Sequence, residues 1–322
     1  MCAALKRLVL LFAVLAFAAL PALAQDAGKL EPRLKLPDLK GFRAPPNFGA
    51  ALPKLAFGNV TLQAELVDKG PAVTRGLVWR IFGPKADSEG KLPLVASARG
   101  GTSVFQLEPG SYLVHASYGR AGATKRISVG KEPAKEVMVL DAGGLKLDGV
   151  FPTGTPIPPD KLRFSIYEAE PGPDGERALI IPDVKPDVVV RLNAGTYHVV
   201  SKYGSVNAVI RSDIRVTAGK LTEATVEHRA AQLTMKLVRE HGGEAIADTS
   251  WSVLTDSGDV VRESVGAFAT MVLAEGDYTI VAKNRDHVYQ RELTVEAGHN
   301  EDVEVLTSDV AQPGVPIGDI SD

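Results

Sequence analysis

From residue 57 onward, apolar and polar positions alternate in short runs. Val60-Thr-Leu62-Gln-Ala64 is followed by Val78-Trp79-Arg80-Ile81, and Arg163-Phe164-Ser165-Ile166 and Ser250-Trp251-Ser252-Val253 show the same alternation later. A period of two over about four to eight residues, bounded by Gly, Pro, Asp and Ser, marks strands with one face in a core. The intervening stretches lack the three- and four-residue spacing of an amphipathic helix. The pattern therefore predicts an all-β chain.

The pattern also repeats. Leu107-Glu-Pro-Gly110-Ser-Tyr112, Leu192-Asn-Ala-Gly195-Thr-Tyr197 and Leu273-Ala-Glu-Gly276-Asp-Tyr278 share the hexad Leu-x-x-Gly-x-Tyr, and the tyrosines stand 85 and 81 residues apart. Trp79 and Phe164 each precede their tyrosine by 33 residues, and Trp251 precedes its own by 27. The turns Asp87-Ser-Glu-Gly90, Pro173-Asp-Gly175 and Asp256-Ser-Gly258 follow those aromatic strands, so the difference in spacing falls in a loop. With the later strands around Ile127, Ile214 and Leu293 and closing strands at Val137, Ala224 and Val303, each unit holds seven short strands. This predicts three tandem seven-stranded Greek-key β-sandwich modules at 57–142, 143–229 and 230–308. The junctions Ala142-Gly143-Gly144 and Arg229-Ala230-Ala231 are so short that neighbouring modules should touch.

The hexad has a mechanical reading. Leu107, Leu192 and Leu273 end an inward-facing strand, and Gly110, Gly195 and Gly276 allow a positive φ at the corner. Tyr112, Tyr197 and Tyr278 then bury their rings while each hydroxyl reaches an upstream backbone group. Trp79, Phe164 and Trp251 are the expected core aromatics.

The runs Trp251-Ser-Val-Leu-Thr-Asp-Ser-Gly-Asp, Met271-Val-Leu-Ala-Glu-Gly-Asp-Tyr-Thr-Ile and Leu293-Thr-Val-Glu-Ala-Gly298 resemble the carboxypeptidase regulatory-like, or transthyretin-like, β-sandwich repeats of bacterial envelope proteins. The first two units are similar in the hexad and flanking strands but carry longer inserts. The resemblance covers 57–308. It implies an accessory module that presents or spaces other components and supplies no catalytic residues; no peptidase domain accompanies the units.

The ends differ from the modules. Lys6-Arg7, the apolar run Leu8 to Leu20 and Pro21-Ala-Leu-Ala24 read as a cleaved signal peptide over 1–24. The run is shorter than the roughly 20 residues that span a bilayer, and Cys2 precedes it, whereas a lipoprotein needs its cysteine after it. Cleavage would remove Cys2, the single cysteine, and leave a mature chain without a membrane span. Residues 25–56 carry five prolines and read as a proline-rich linker; the sharper alternative is a docking peptide anchored by Leu34, Leu36, Leu39 and Phe42. Residues 309–322 should form a flexible tail.

Charge and chemistry narrow the function. The formal charge of −3 becomes more negative when the signal takes Lys6 and Arg7 with it, which argues against a nucleic-acid partner. The six histidines, represented by His115, His198, His241, His287 and His299, read as surface residues without metal-ligand spacing. The Asp-bearing turns lack the dense acidic ligands of a calcium loop. There is no nucleophile elbow and no phosphate loop, so no cofactor, metal or catalytic residue is assigned. The expected protein is a non-catalytic, exported scaffold or interaction protein, periplasmic, serving an envelope protein or polymer. The rival reading is carbohydrate binding through Tyr118 and Tyr203, each followed by Gly at the same hairpin of the first two units; the third has Asn284-Arg285-Asp286 there. Aromatics make up only 6% of the chain, which leaves few rings for sugar stacking.

Overall fold

A computed structural model describes residues 57–310. The predicted signal peptide with Cys2, the linker 25–56 and residues 311–322 lie outside the described residues. The first unit contains β1 (Gly58–Glu65), β2 (Leu77–Phe82), β3 (Leu94–Gly100), β4 (Ser103–Leu107), β5 (Gly110–Tyr118), β6 (Ala121–Val129) and β7 (Ala134–Val139). The second contains β8 (Ala142–Val150), β9 (Leu162–Glu168), β10 (Leu179–Val184), β11 (Val190–Asn193), β12 (Gly195–Tyr203), β13 (Val209–Val216) and β14 (Leu221–Glu227). The third contains β15 (Ala230–Val238), β16 (Thr249–Thr255), β17 (Val260–Val265), β18 (Phe268–Ala274), β19 (Gly276–Asn284), β20 (His287–Val295) and β21 (Glu301–Leu306).

Each unit forms the same two sheets. In the first, the orders are β4-β1-β7 and β3-β2-β5-β6, and the second and third repeat them strand for strand. The chain stays within a sheet only at the hairpins β2–β3 and β5–β6, and it changes sheet at every other connection. The first and last strands of each unit lie side by side in parallel. The molecule is thus an all-β array of three Greek-key sandwiches.

The alternation explains which face is buried. Val60, Leu62 and Ala64 of β1 are almost fully covered, while Thr61 and Gln63 between them are half-exposed. The edge strands β3, β10 and β17 each pair with register shifts, at Ile81/Phe82, Leu179 to Val184 and Val253/Leu254. Such bulges twist an edge away from pairing with other chains.

The three cores are not sealed from each other. Ala142 opens β8 yet packs in the first core, and Ala230 and Val272 of the third unit pack in the second. The first residues of the expected tail are held as well. Asp309 O accepts from the Gln290 N–H at 2.9 Å, and Val310 bridges Tyr289.

Candidate functional site

The hexads build three equivalent corners. Tyr112, Tyr197 and Tyr278 are buried, and their hydroxyls donate to the carbonyls of Glu108, Asn193 and Ala274, each at 2.9 Å. Burial pushes the Tyr112 and Tyr197 hydroxyls above the usual phenol range, helped by Glu108 and Glu168 respectively. Leu107, Leu192 and Leu273 are buried beside them. The glycine reading needs correction: only Gly276 has a positive φ, of 149°, whereas Gly110 and Gly195 do not. All three open a strand, pairing with Val129, Val216 and Val295, so the corner forms with or without the positive φ. Trp79 and Trp251 are core residues whose indole N–H groups donate to Gly101 O at 2.8 Å and Gly266 O at 2.9 Å; Phe164 fills the same position in the second unit.

The hairpins proposed for sugar binding have another role. Tyr203 is 1% exposed, with its ring edge-on to Phe151 at 5.6 Å and to His228 at 6.1 Å. It cannot serve as an exposed platform, because the turn after it is pressed against the next module. Tyr118 is half-buried, and the Arg191 guanidinium from the second unit lies 4.6 Å from its ring centroid. That cation covers the face a pyranose would need.

Both turns require glycine twice over. Gly119 and Gly204 have φ of 68° and 72°. A Cβ on Gly119 would lie 2.9 Å from Arg191 Cβ, and one on Gly204 would lie 2.6 Å from Val272 Cβ. Each hairpin therefore packs on the fourth strand of the following unit, β11 or β18, with only hydrogen atoms between. Arg285 stands at the matching turn of the third unit with φ 54°.

An asparagine clips each joint. At the first, the Asn193 side chain accepts from Gly122 N–H at 3.2 Å and donates to Gly122 O at 3.2 Å and Leu140 O at 2.8 Å. The Arg120 N–H also donates to Arg191 O at 3.0 Å. At the second, Asn207 accepts from Ala274 N–H at 2.9 Å and donates to the Tyr278 hydroxyl at 2.8 Å. Tyr278 thereby links a corner to a joint. Lys161 adds a bond to Gln232 across the same boundary.

One histidine departs from the surface reading. His228 is 1% exposed, and its Nε2 lies 2.7 Å from Ser201 Oγ, itself buried. Burial drags its pKa down to about 4. The pair is closed off from solvent, so no substrate reaches the Ser201 hydroxyl. The signal for it was present in the sequence, since His228 ends the β14 alternation immediately before the short junction to β15. Among the described residues, no group of three or more His, Cys, Asp or Glu is placed to hold a metal ion.

Comparison with known proteins places the third unit. Residues 232–307 match the Rhizobiales growth-associated tandem repeat domain. No curated protein matches the chain. Among solved structures, the Bacillus anthracis TIE protein is similar at 17% identity and a TM-score of 0.23, covering 78% of this chain and 50% of its own. The Streptococcal ancillary pilin gives 13% identity and a TM-score of 0.27 over 78% of this chain and 98% of its own. The minor pilin GBS52 of Streptococcus agalactiae gives 15% and 0.30, over 53% and 95%. This chain thus spans about half the length of the TIE protein. The matched repeat runs from β15 to just past β21, and the same strand order recurs twice upstream.

Proposed function

We propose that this chain is a non-catalytic, exported interaction protein, acting in the periplasm. Its three stacked sandwiches would hold binding surfaces for an envelope protein or polymer at set positions. The observation that carries the reading is the use of both Tyr-Gly hairpins as joints: the buried and conformationally demanding residues are spent on fixing modules against one another. The sequence resemblance to carboxypeptidase regulatory-like repeats implies the same kind of role, presenting or spacing other components. Modules locked in this way hold their outer faces at a constant relation, which favours a partner that touches more than one of them.

The test joins localisation to capture. Periplasmic fractionation followed by N-terminal sequencing should find a chain that begins at Gln25. Crosslinking of the wild-type chain in whole cells should enrich one envelope component, and a Gly204→Val chain, with the joint broken, should lose most of that enrichment. Cytoplasmic retention of the full chain, or capture unchanged by Gly204→Val, would refute the reading.

A further inference from the structure

We infer that the outer face of the second module's four-stranded sheet binds an anionic polysaccharide, through sugar rings that carry carboxylates. This deepens the reading above by naming a class of polymer, and it rests on that reading.

A cleft of about 260 Å³ opens on this face. Tyr167 and His198 share one rung of the ladder, and Val200 and Arg211 share the next. Lys202 extends the cleft along β12, and Arg177 reaches in from the loop before β10 with Glu176 beside it. Val200 is buried and forms an apolar floor. The half-buried Tyr167 ring stands 6.4 Å from the His198 ring at 62°.

The chemistry of these groups converges on a charged sugar. An aromatic ring and an apolar floor suit the CH face of a pyranose. Arg177, Lys202 and Arg211 are exposed cations, and no hydrogen bond or ion pair engages the side chains of Lys202 or Arg211 among the described residues. Two carboxylates lie nearby. Asp213 is taken up by His198 Nδ1 at 2.7 Å, and Glu176 leaves the cations in excess. The volume falls just below the roughly 300–1,000 Å³ of sites that enclose a whole small molecule, so it fits one unit of a polymer.

The neighbouring modules sharpen the choice. On the matching rungs the first module presents Arg80, Arg99 and Arg126 with no carboxylate, while the third presents Glu263 and Glu292 with Lys283 as its one cation, and Asp277 lies one rung further along. Residues 57–142 carry eleven Lys and Arg against eight Asp and Glu; residues 230–308 carry six against fourteen. A polyanion therefore meets two favourable faces in sequence and is repelled by the third.

Affinity electrophoresis of the full chain, with three soluble polymers in the gel, tests the inference. Polygalacturonate combines ring and carboxylate, dextran has the ring alone and polyglutamate the carboxylate alone. Polygalacturonate should retard the protein, and the other two should not. Lys202→Ala with Arg211→Ala should weaken retardation at least about tenfold, as should Tyr167→Ala, whereas Tyr167→Phe should keep it. Lys283→Ala, on the acidic third module, should change nothing. Equal retardation by polyglutamate would mean an acidic protein partner and would overturn the inference. So would retardation insensitive to Tyr167→Ala and to the double variant, or none at all. If these arms fail while cellular capture still enriches a partner, the polysaccharide is wrong and the interaction reading stands; if capture fails too, both fall.

Discussion

The substitution Gly204→Ala isolates the joint between the second and third modules. Two penalties add. An alanine held at φ 72° is left-handed and costs about 1–2 kcal/mol. Its Cβ would stand 2.6 Å from Val272 Cβ and 2.9 Å from Val272 Cγ2, and Val272 is 5% exposed with no open side to move toward. Overpacking of that kind costs about 1–3 kcal/mol, so the expected loss is roughly 2–5 kcal/mol. Trp251 is the fluorescent reporter of the third module, and in a Trp79→Phe background it reports alone. Urea denaturation followed by Trp251 should show an earlier midpoint, with the third module uncoupled from the second. The matching Gly119→Ala meets the Cβ of Arg191 at 2.9 Å, a longer approach than the 2.6 Å at Gly204, and should cost less. A double-mutant cycle with Val272→Gly should return part of the loss as coupling. A Gly204→Ala chain within about 0.5 kcal/mol of wild type would refute the reasoning, since even the backbone penalty would then be missing.

Three further outcomes follow from the same geometry. Tyr112→Phe removes one hydrogen bond and Tyr278→Phe removes two, so at about 1 kcal/mol per bond the second should lower stability about twice as much in chemical denaturation. His228 has a folded pKa of about 4, below the ordinary 6.5, because burial disfavours its charged form. Its contribution is therefore present in full above pH 6.5 and is lost as the pH falls through 4, an amount on the order of 3 kcal/mol that denaturation midpoints across that window should show. His228→Gln should flatten that dependence. Arg285→Gly relieves a left-handed arginine and should raise the melting temperature of the third module, by a stabilisation of about 0.5–1 kcal/mol.

The architecture was legible because it is written in side-chain periodicity. The hexads and the aromatics Trp79, Phe164 and Trp251 mark positions where one unit folds on itself, and such positions must recur wherever the unit recurs. The joints were not legible for the complementary reason. Tyr118-Gly119 and Tyr203-Gly204 look like exposed turns in sequence, since a glycine after a tyrosine ends a strand whether or not another module presses on it. What distinguishes them is the neighbour, Arg191 or Val272, some 70 residues further on, and no local pattern couples the two. His228 is a different case: its place at the end of the β14 alternation was a local signal for burial, while its partners Ser201 and Tyr203 lie on another strand. The corner glycines err in the other direction. Glycine invites a positive φ, yet of three corners with the same ladder pairing only Gly276 takes one, and Gly110 and Gly195 stay outside that region.

The two clips also explain why the modules stand in this order. At the first joint the asparagine comes from the receiving strand, as Asn193, and faces Gly122. At the second it comes from the docking hairpin, as Asn207, and faces the backbone of Ala274. Asn193 and Ala274 hold the same place in the hexad, and Gly122 and Asn207 both lie just past the hairpin turn, so each joint pairs one asparagine with one small residue. Both asparagines belong to the middle module. A direct joint between the outer modules would set Gly122 against Ala274, leaving their backbone groups without a side chain to satisfy them at a buried contact, a loss of about 1–3 kcal/mol for each such group. Three sandwiches of one fold are thereby made non-interchangeable by two residues, and the basic and acidic outer faces they carry keep a defined sequence along the array.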